Sequence, residues 1–175
     1  MKNILILLIT AIIITALTGT ASAGDPTYVG AKRCKMCHAG KYASWKESRM
    51  ANSFDYLKQG VKAEAKKALG FEDKDYTADP VCLKCHTTGY GKGGFTNIED
   101  TPDLAGVSCE ACHGPGSAYK KIMKTGRDAL VAAGLVVLTE KECLTCHGGD
   151  SPFLKGKSFN FKEGVAKTHD HSTKK

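Results

Sequence analysis

A mostly α-helical single domain with long loops and very little strand, filled by cofactors, is the fold that the sequence predicts. Three observations carry this expectation. Four short Cys-x-x-Cys-His repeats contain all eight Cys of the 175-residue chain. The segments between them are rich in Gly, Lys and short polar runs, so cofactors must supply much of the apolar interior. Helical spacing punctuated by glycine stops recurs along the chain.

The elements follow in order. Lys2 is a basic n-region, and Ile4–Leu17 is an apolar run interrupted only by Thr10 and Thr15. Ala21-Ser22-Ala23 then matches a small-residue cleavage pattern. Residues 1–23 therefore read as a signal peptide and 24–175 as one domain that holds the four repeats. The apolar run is too short for a comfortable span, and nothing later suits a membrane, so no stable insertion is expected after cleavage. Ala39–Lys58 places Tyr42, Trp45, Arg49, Phe54 and Leu57 at near-helical spacing. Val61–Leu69 reads as a helix stopped by Gly70. Asp73–Pro80 reads as a loop and Thr87–Gly94 as an irregular glycine turn, followed by a short extended piece at Phe95-Thr96. Gly114-Pro115-Gly116 ends a helix over the third repeat. Ser117–Thr125 and Arg127–Ala133 read as helices stopped by Gly126 and Gly134. Thr139 with Glu142 is a capping box that opens a helix through the fourth repeat. A last short helix from Phe161 is expected to carry His169 and His171.

The repeats carry the chemistry. They place Cys34, Cys37 and His38; Cys82, Cys85 and His86; Cys109, Cys112 and His113; and Cys143, Cys146 and His147. Two thiols one helical turn apart add to the two vinyl groups of a porphyrin. The following His then supplies the proximal nitrogen to the iron. A zinc knuckle, a thiol redox pair or a disulfide framework needs no His after every second Cys. With six His in the chain, four such placements by chance are on the order of one in a million. The cofactors implied are four covalently bound haem c.

The distal ligands decide whether an iron is closed or open. Outside the repeats the mature chain offers His169, His171, Met50 and Met123. Met36 lies inside a repeat, on the proximal side. His169 and His171 are too close in sequence to serve two irons unless the tail is extended. Three distal positions thus remain for four haems, with Lys or the new amino terminus as further candidates. Packing is the ordinary use of a Met and disorder that of a tail His pair, but four ligand-short haems favour ligation.

The formal charge is +7 and the pI about 8.9. The Lys residues are scattered, haem propionates would cancel much of the charge, and an exported protein rarely meets nucleic acid. The charge reads as solubility with a mild preference for acidic partners.

Beyond the repeats, several stretches resemble one family. These are Ala43-Ser44-Trp45-Lys46, Lys74-Asp75-Tyr76-Thr77, Thr88-Gly89-Tyr90-Gly91-Lys92-Gly93-Gly94, the run Gly106–Gly116 and His169-Asp170-His171. The chain resembles the tetrahaem cytochrome family of the hydroxylamine-oxidoreductase electron acceptor, the c five-five-four type. The resemblance implies closely paired haems and an open distal side on the second haem, held by His86. It implies His169 as distal ligand of the third haem. The family's distal His residues of the first and fourth haems fall on Met123 and Met50. Thioether ligation raises a haem's potential, so the first and fourth haems should be the higher-potential ones. The segment between the third and fourth repeats is shorter than in the family, so its partner surface is not carried over.

The function expected is electron relay between redox proteins, in the periplasm or at the cell surface, by a monomer or weak dimer. Transient contacts suit such a carrier. Two other readings stand beside it. One is a reductase of nitric oxide, nitrite or peroxide at the open haem, with Asp79 and Tyr90 as the nearest polar candidates. The other is a subunit of an extracellular haem filament that shares its tail His with a neighbour.

Overall fold

A computed structural model describes residues 24–148, 151 and 158–169. The signal peptide expected at 1–23, together with Asp170 and His171, lies outside the described residues. The described chain forms short helices: α1 (Ala31–Cys34), α2 (Ala39–Lys46), α3 (Ala63–Ala68), α4 (Pro80–His86), α5 (Cys109–His113), α6 (Arg127–Ala132), α7 (Glu140–His147) and α8 (Phe161–Ala166). Single 3₁₀ turns cover Asp55–Leu57, Pro102–Leu104 and Tyr119–Ile122. Among the described residues β pairing is confined to one antiparallel bridge, Thr87 with Ala105. Among them, too, no helix is long and apolar enough to cross a membrane.

Local chemistry explains several helix ends. After α3, Gly70 takes φ +82°, the Gly70 N–H reaches Lys67 O and the Phe71 N–H reaches Lys66 O. After α6, Gly134 at φ +97° repeats the pattern, with Leu135 N–H on Leu130 O. These paired bonds satisfy carbonyls that a helix end leaves open, and glycine adopts the required left-handed backbone without a Cβ clash. At the start of α7 the Glu142 carboxylate accepts from the Thr139 N–H (2.7 Å) and hydroxyl (2.6 Å), as the capping pair predicts. Asp79 caps α4 by accepting from the Val81 N–H at 2.8 Å, with Pro80 in the first turn.

Two expected helices are shorter than the periodicity suggests. The helix expected over Ala39–Lys58 stops at Lys46. Beyond it Ser48 and Asn52 compete for the backbone: the Ser48 hydroxyl accepts from Ala51 N–H and the Asn52 amide donates to Ser48 O. Met50 O then accepts from Val107 N–H (2.9 Å), a tertiary bond that a continuous helix would forbid. The helix expected over Ser117–Thr125 is only the 3₁₀ turn Tyr119–Ile122. The Tyr119 hydroxyl donates to Gly114 O, pinning this turn against the end of α5. The final helix ends at Ala166, so His169 sits in the turn after it.

The protein core is small. Phe54, Leu57, Cys82, Leu83, Phe95 and Leu104 form one buried cluster, with Tyr28, Tyr76, Tyr90 and Ala105 at its edge. Phe54 and Phe95 meet with ring centroids 5.3 Å apart. This cluster gathers the 50s turn, α4 and the Phe95–Leu104 loop around the second repeat. The third and fourth repeats lie outside it, around a cavity.

Candidate haem-binding site

The repeats share one local geometry. In α4, α5 and α7 the two Cys stand three residues apart, on one helix face, with the His closing the last turn. The first repeat runs from Cys34 at the end of α1 to His38 at the start of α2, where His38 N–H bonds to Cys34 O at 3.0 Å and makes the same single turn. Each repeat thus presents two sulfurs to one side with an imidazole beside them, which is the donor set that haem attachment needs.

The tertiary fold then brings sulfurs of different repeats together. The Cys34 and Cys109 thiols lie side by side, and so do those of Cys85 and Cys146. The Cys34 partner pulls the Cys109 thiol below its ordinary range, and the Cys85 partner lowers Cys146 to about 6. Burial, with the charges of Cys143 and Cys146 added, pushes Cys112 up to about 11. These values belong to free thiols, and thioethers would not titrate. What they locate is adjacency: first repeat with third, third with fourth, fourth with second.

A cavity of about 850 Å³ opens at this junction. Met50, His113, His147 and His169 all line it, together with sulfurs of the second, third and fourth repeats. Arg49, Lys84, Lys92 and Lys167 stand on the same lining and suit acidic substituents of a bound group. An apolar, imidazole- and thioether-bearing cavity with cationic groups on its lining fits haem. Phe159 stacks on the His147 ring, with centroids 4.9 Å apart, and burial holds the His147 imidazole below its ordinary pKa, favouring the neutral form that can ligate.

His86 has its own anchor. Its Nδ1 lies 2.6 Å from Ser53 O, which makes that nitrogen the protonated donor and leaves Nε2 as the free ligand nitrogen. Ser53 Oγ donates to His86 O (3.1 Å) and accepts from Val107 N–H (3.1 Å). One turn, 50–53, therefore serves the second repeat through Ser53 and the cavity through Met50. Gly106 (φ +84°) permits this approach, since a Cβ there would lie 2.4 Å from Ala51 O.

The sequence-derived candidates divide into two groups. Met50, His113, His147 and His169 converge on the cavity. His38 is exposed, Met123 is 37 % exposed at the end of its 3₁₀ turn, and neither lines the cavity. Asp79 is the cap of α4, while Tyr90 lines the cavity and packs against the core. Ser53 and Glu110 are functional positions to which the sequence alone gives no role. Nothing local marks Ser53. Glu110 is visible as an acid inside a repeat, but its partners lie far along the chain.

Comparison with known proteins agrees with this geometry. A family described as cytochrome c554 and c-prime matches residues 33–114. Cytochrome c-554 of Nitrosomonas europaea is 37% identical over 154 residues, covering 80% of this chain and 66% of that protein, so the chain spans just under two thirds of that relative's length. The solved structure of reduced cytochrome c554 from Nitrosomonas europaea superposes with a TM-score of 0.74 at 33% identity, covering 84% of this chain and 86% of that one. With the repeats, the helical fold and these likenesses in agreement, the chain belongs to the cytochrome c554 family, multihaem c-type cytochromes with covalently bound haem c.

Proposed function

We propose that this protein is an exported tetrahaem electron carrier that relays electrons between redox proteins. The adjacency of sulfurs across repeats is the observation that carries the reading. Thioether-linked groups on neighbouring sulfurs must themselves be neighbours, which suits electron exchange in the order first, third, fourth, second. Bound haem supplies reversible one-electron chemistry at iron. The chain's own residues fix positions and set potentials.

In this reading the eight Cys hold the four haems, and His38, His86, His113 and His147 are the proximal ligands. Ser53 orients His86 through its carbonyl. Met50 serves the fourth haem and His169 the third, which their place on the shared cavity supports. Met123 serves the first haem. The second haem keeps an open side. Partner contacts are brief, and the periplasm or cell surface is the setting that the leader sequence implies.

A reductase acting at the second haem is favoured by one observation, the cavity reaching Cys85, Thr87 and Tyr90. It is weakened by Asp79, which is engaged in capping α4. For the filament reading, His169 on its own chain's cavity argues for use within the molecule.

The test is the visible spectrum of the reduced holoprotein before and after carbon monoxide. A shift of about one haem in four is expected from one open iron. A larger shift would mean that Met50, Met123 or His169 does not ligate. No shift would mean that every iron is closed, leaving a pure relay.

A further inference from the structure

Glu110 stands between the two Cys of the third repeat, yet it is only 1% exposed. Three backbone N–H groups meet its carboxylate. Val29 N–H donates to Oε1 (2.9 Å) and Oε2 (3.0 Å), Gly30 N–H to Oε2 (2.8 Å), and Gly116 N–H to Oε1 (2.7 Å). All of these contacts bring N–H donors to the two oxygens, an arrangement complementary to a negative charge. The cradle is closely built. A Cβ on Gly116 would come within 3.1 Å of Oε1, and Gly30 takes φ +81°.

The charge sits where two repeats meet. Val29 and Gly30 lead into α1 and Cys34, while Gly116 follows the third repeat. Burial raises the Tyr28 and Tyr119 phenols, and the nearby Glu110 carboxylate adds to that rise. A buried anion acts strongly on nearby redox groups because little water screens it. It favours the more positive, oxidised iron.

Building on the tetrahaem reading above, we propose that Glu110 is a fixed anion shared by the first and third haems, lowering both their potentials below what their axial ligands alone would set. It works as a positioning and tuning residue and touches no substrate. Its pull opposes the upward effect of a thioether ligand on the first haem. The relay then keeps its first step from becoming a trap for electrons.

The experiment is a spectroelectrochemical titration of the matured holoprotein and its Glu110→Gln variant, with electron paramagnetic resonance to separate the haems. Upward shifts confined to two of the four haems are expected. Unchanged potentials in a haem-replete variant would overturn the proposal, and so would an equal shift of all four, which would indicate general loosening. Ser117→Ala is the structural control. Ser117 Oγ accepts from Thr27 N–H at 2.7 Å, so this variant loosens the same N-terminal strap and leaves the charge. It should lose stability and keep its potentials, and potentials that moved as in Glu110→Gln would overturn the proposal. Should Glu110→Gln fail to accumulate with haem, infrared redox-difference spectra of wild-type protein carrying ¹³C-glutamate replace it. A carboxylate band that follows the first and third haems is expected, and its absence would overturn the proposal. A wild-type protein without four haems would instead sink the underlying reading, a distinguishable result.

Discussion

At the scale of single residues, the side chains that tune the site act through backbone groups. Ser53 fixes His86 with its carbonyl, and Tyr119 reaches Gly114 O with its hydroxyl. Burial, reinforced by negative neighbours including Glu110, pushes the Tyr119 phenol well above its ordinary value of 10.0. The fold holds the neutral phenol, so above that value the unfolded chain loses a proton that the folded chain keeps. Stability present at lower pH is therefore lost as pH rises past about 10. Tyr119→Phe should flatten this alkaline loss and cost about 1 kcal/mol near neutrality from the missing hydrogen bond. Urea-unfolding midpoints measured across that pH range check both effects. Met50→Ala should open a second haem to carbon monoxide. Met50→His should keep it closed and lower its potential, read by redox titration.

At the scale of elements, the turn after α2 is the hinge of the site. Trp45 Nε1–H donates to Val107 O (2.9 Å), and Val107 N–H donates to Met50 O (2.9 Å). These two bonds tie α2 and the Met50 turn to the strand-like entry into α5. Gly106→Ala forces a Cβ against Ala51 O and strains a left-handed backbone. It should destabilise the holoprotein by roughly 1–3 kcal/mol and, on the proposed ligation by Met50, change the visible spectrum. Trp45→Phe should cost about 1 kcal/mol while leaving the red thioether-to-iron band in place. Denaturant titration with the visible spectrum as a second probe separates these outcomes.

At the scale of the whole molecule, the buried apolar cluster gathers around the second repeat alone. The third and fourth repeats, with Cys85 of the second, line a cavity, and a chain of this length cannot close around an empty space that large without losing packing energy. Chain produced without haem attachment should therefore be protease-sensitive and poorly helical by circular dichroism. Removing the third repeat's thiols together (Cys109→Ala with Cys112→Ala) should disrupt more of the fold than removing the first repeat's. Cys109 abuts the first repeat and Cys112 the fourth. A compact, helical, haem-free chain would contradict this account.

The sequence by itself determined what depends on short spacing. The i, i+3 sulfurs with the adjacent His, the glycine stops at Gly70 and Gly134, and the Thr139–Glu142 pair are local, because their partners lie within one or two helical turns. The count of spare His and Met residues was likewise readable, and it offered Met50, Met123, His169 and His171, of which the fold places Met50 and His169 on the cavity. Only the tertiary structure decided which repeats abut, because the Cys34–Cys109 and Cys85–Cys146 contacts join segments that no periodicity relates. It also decided that the helix expected over Ala39–Lys58 breaks, since Val107 claims the Met50 carbonyl. The Glu110 cradle and the Ser53 anchor belong to the same class: each depends on backbone N–H or C=O groups distant in sequence, which carry no mark in the amino-acid code.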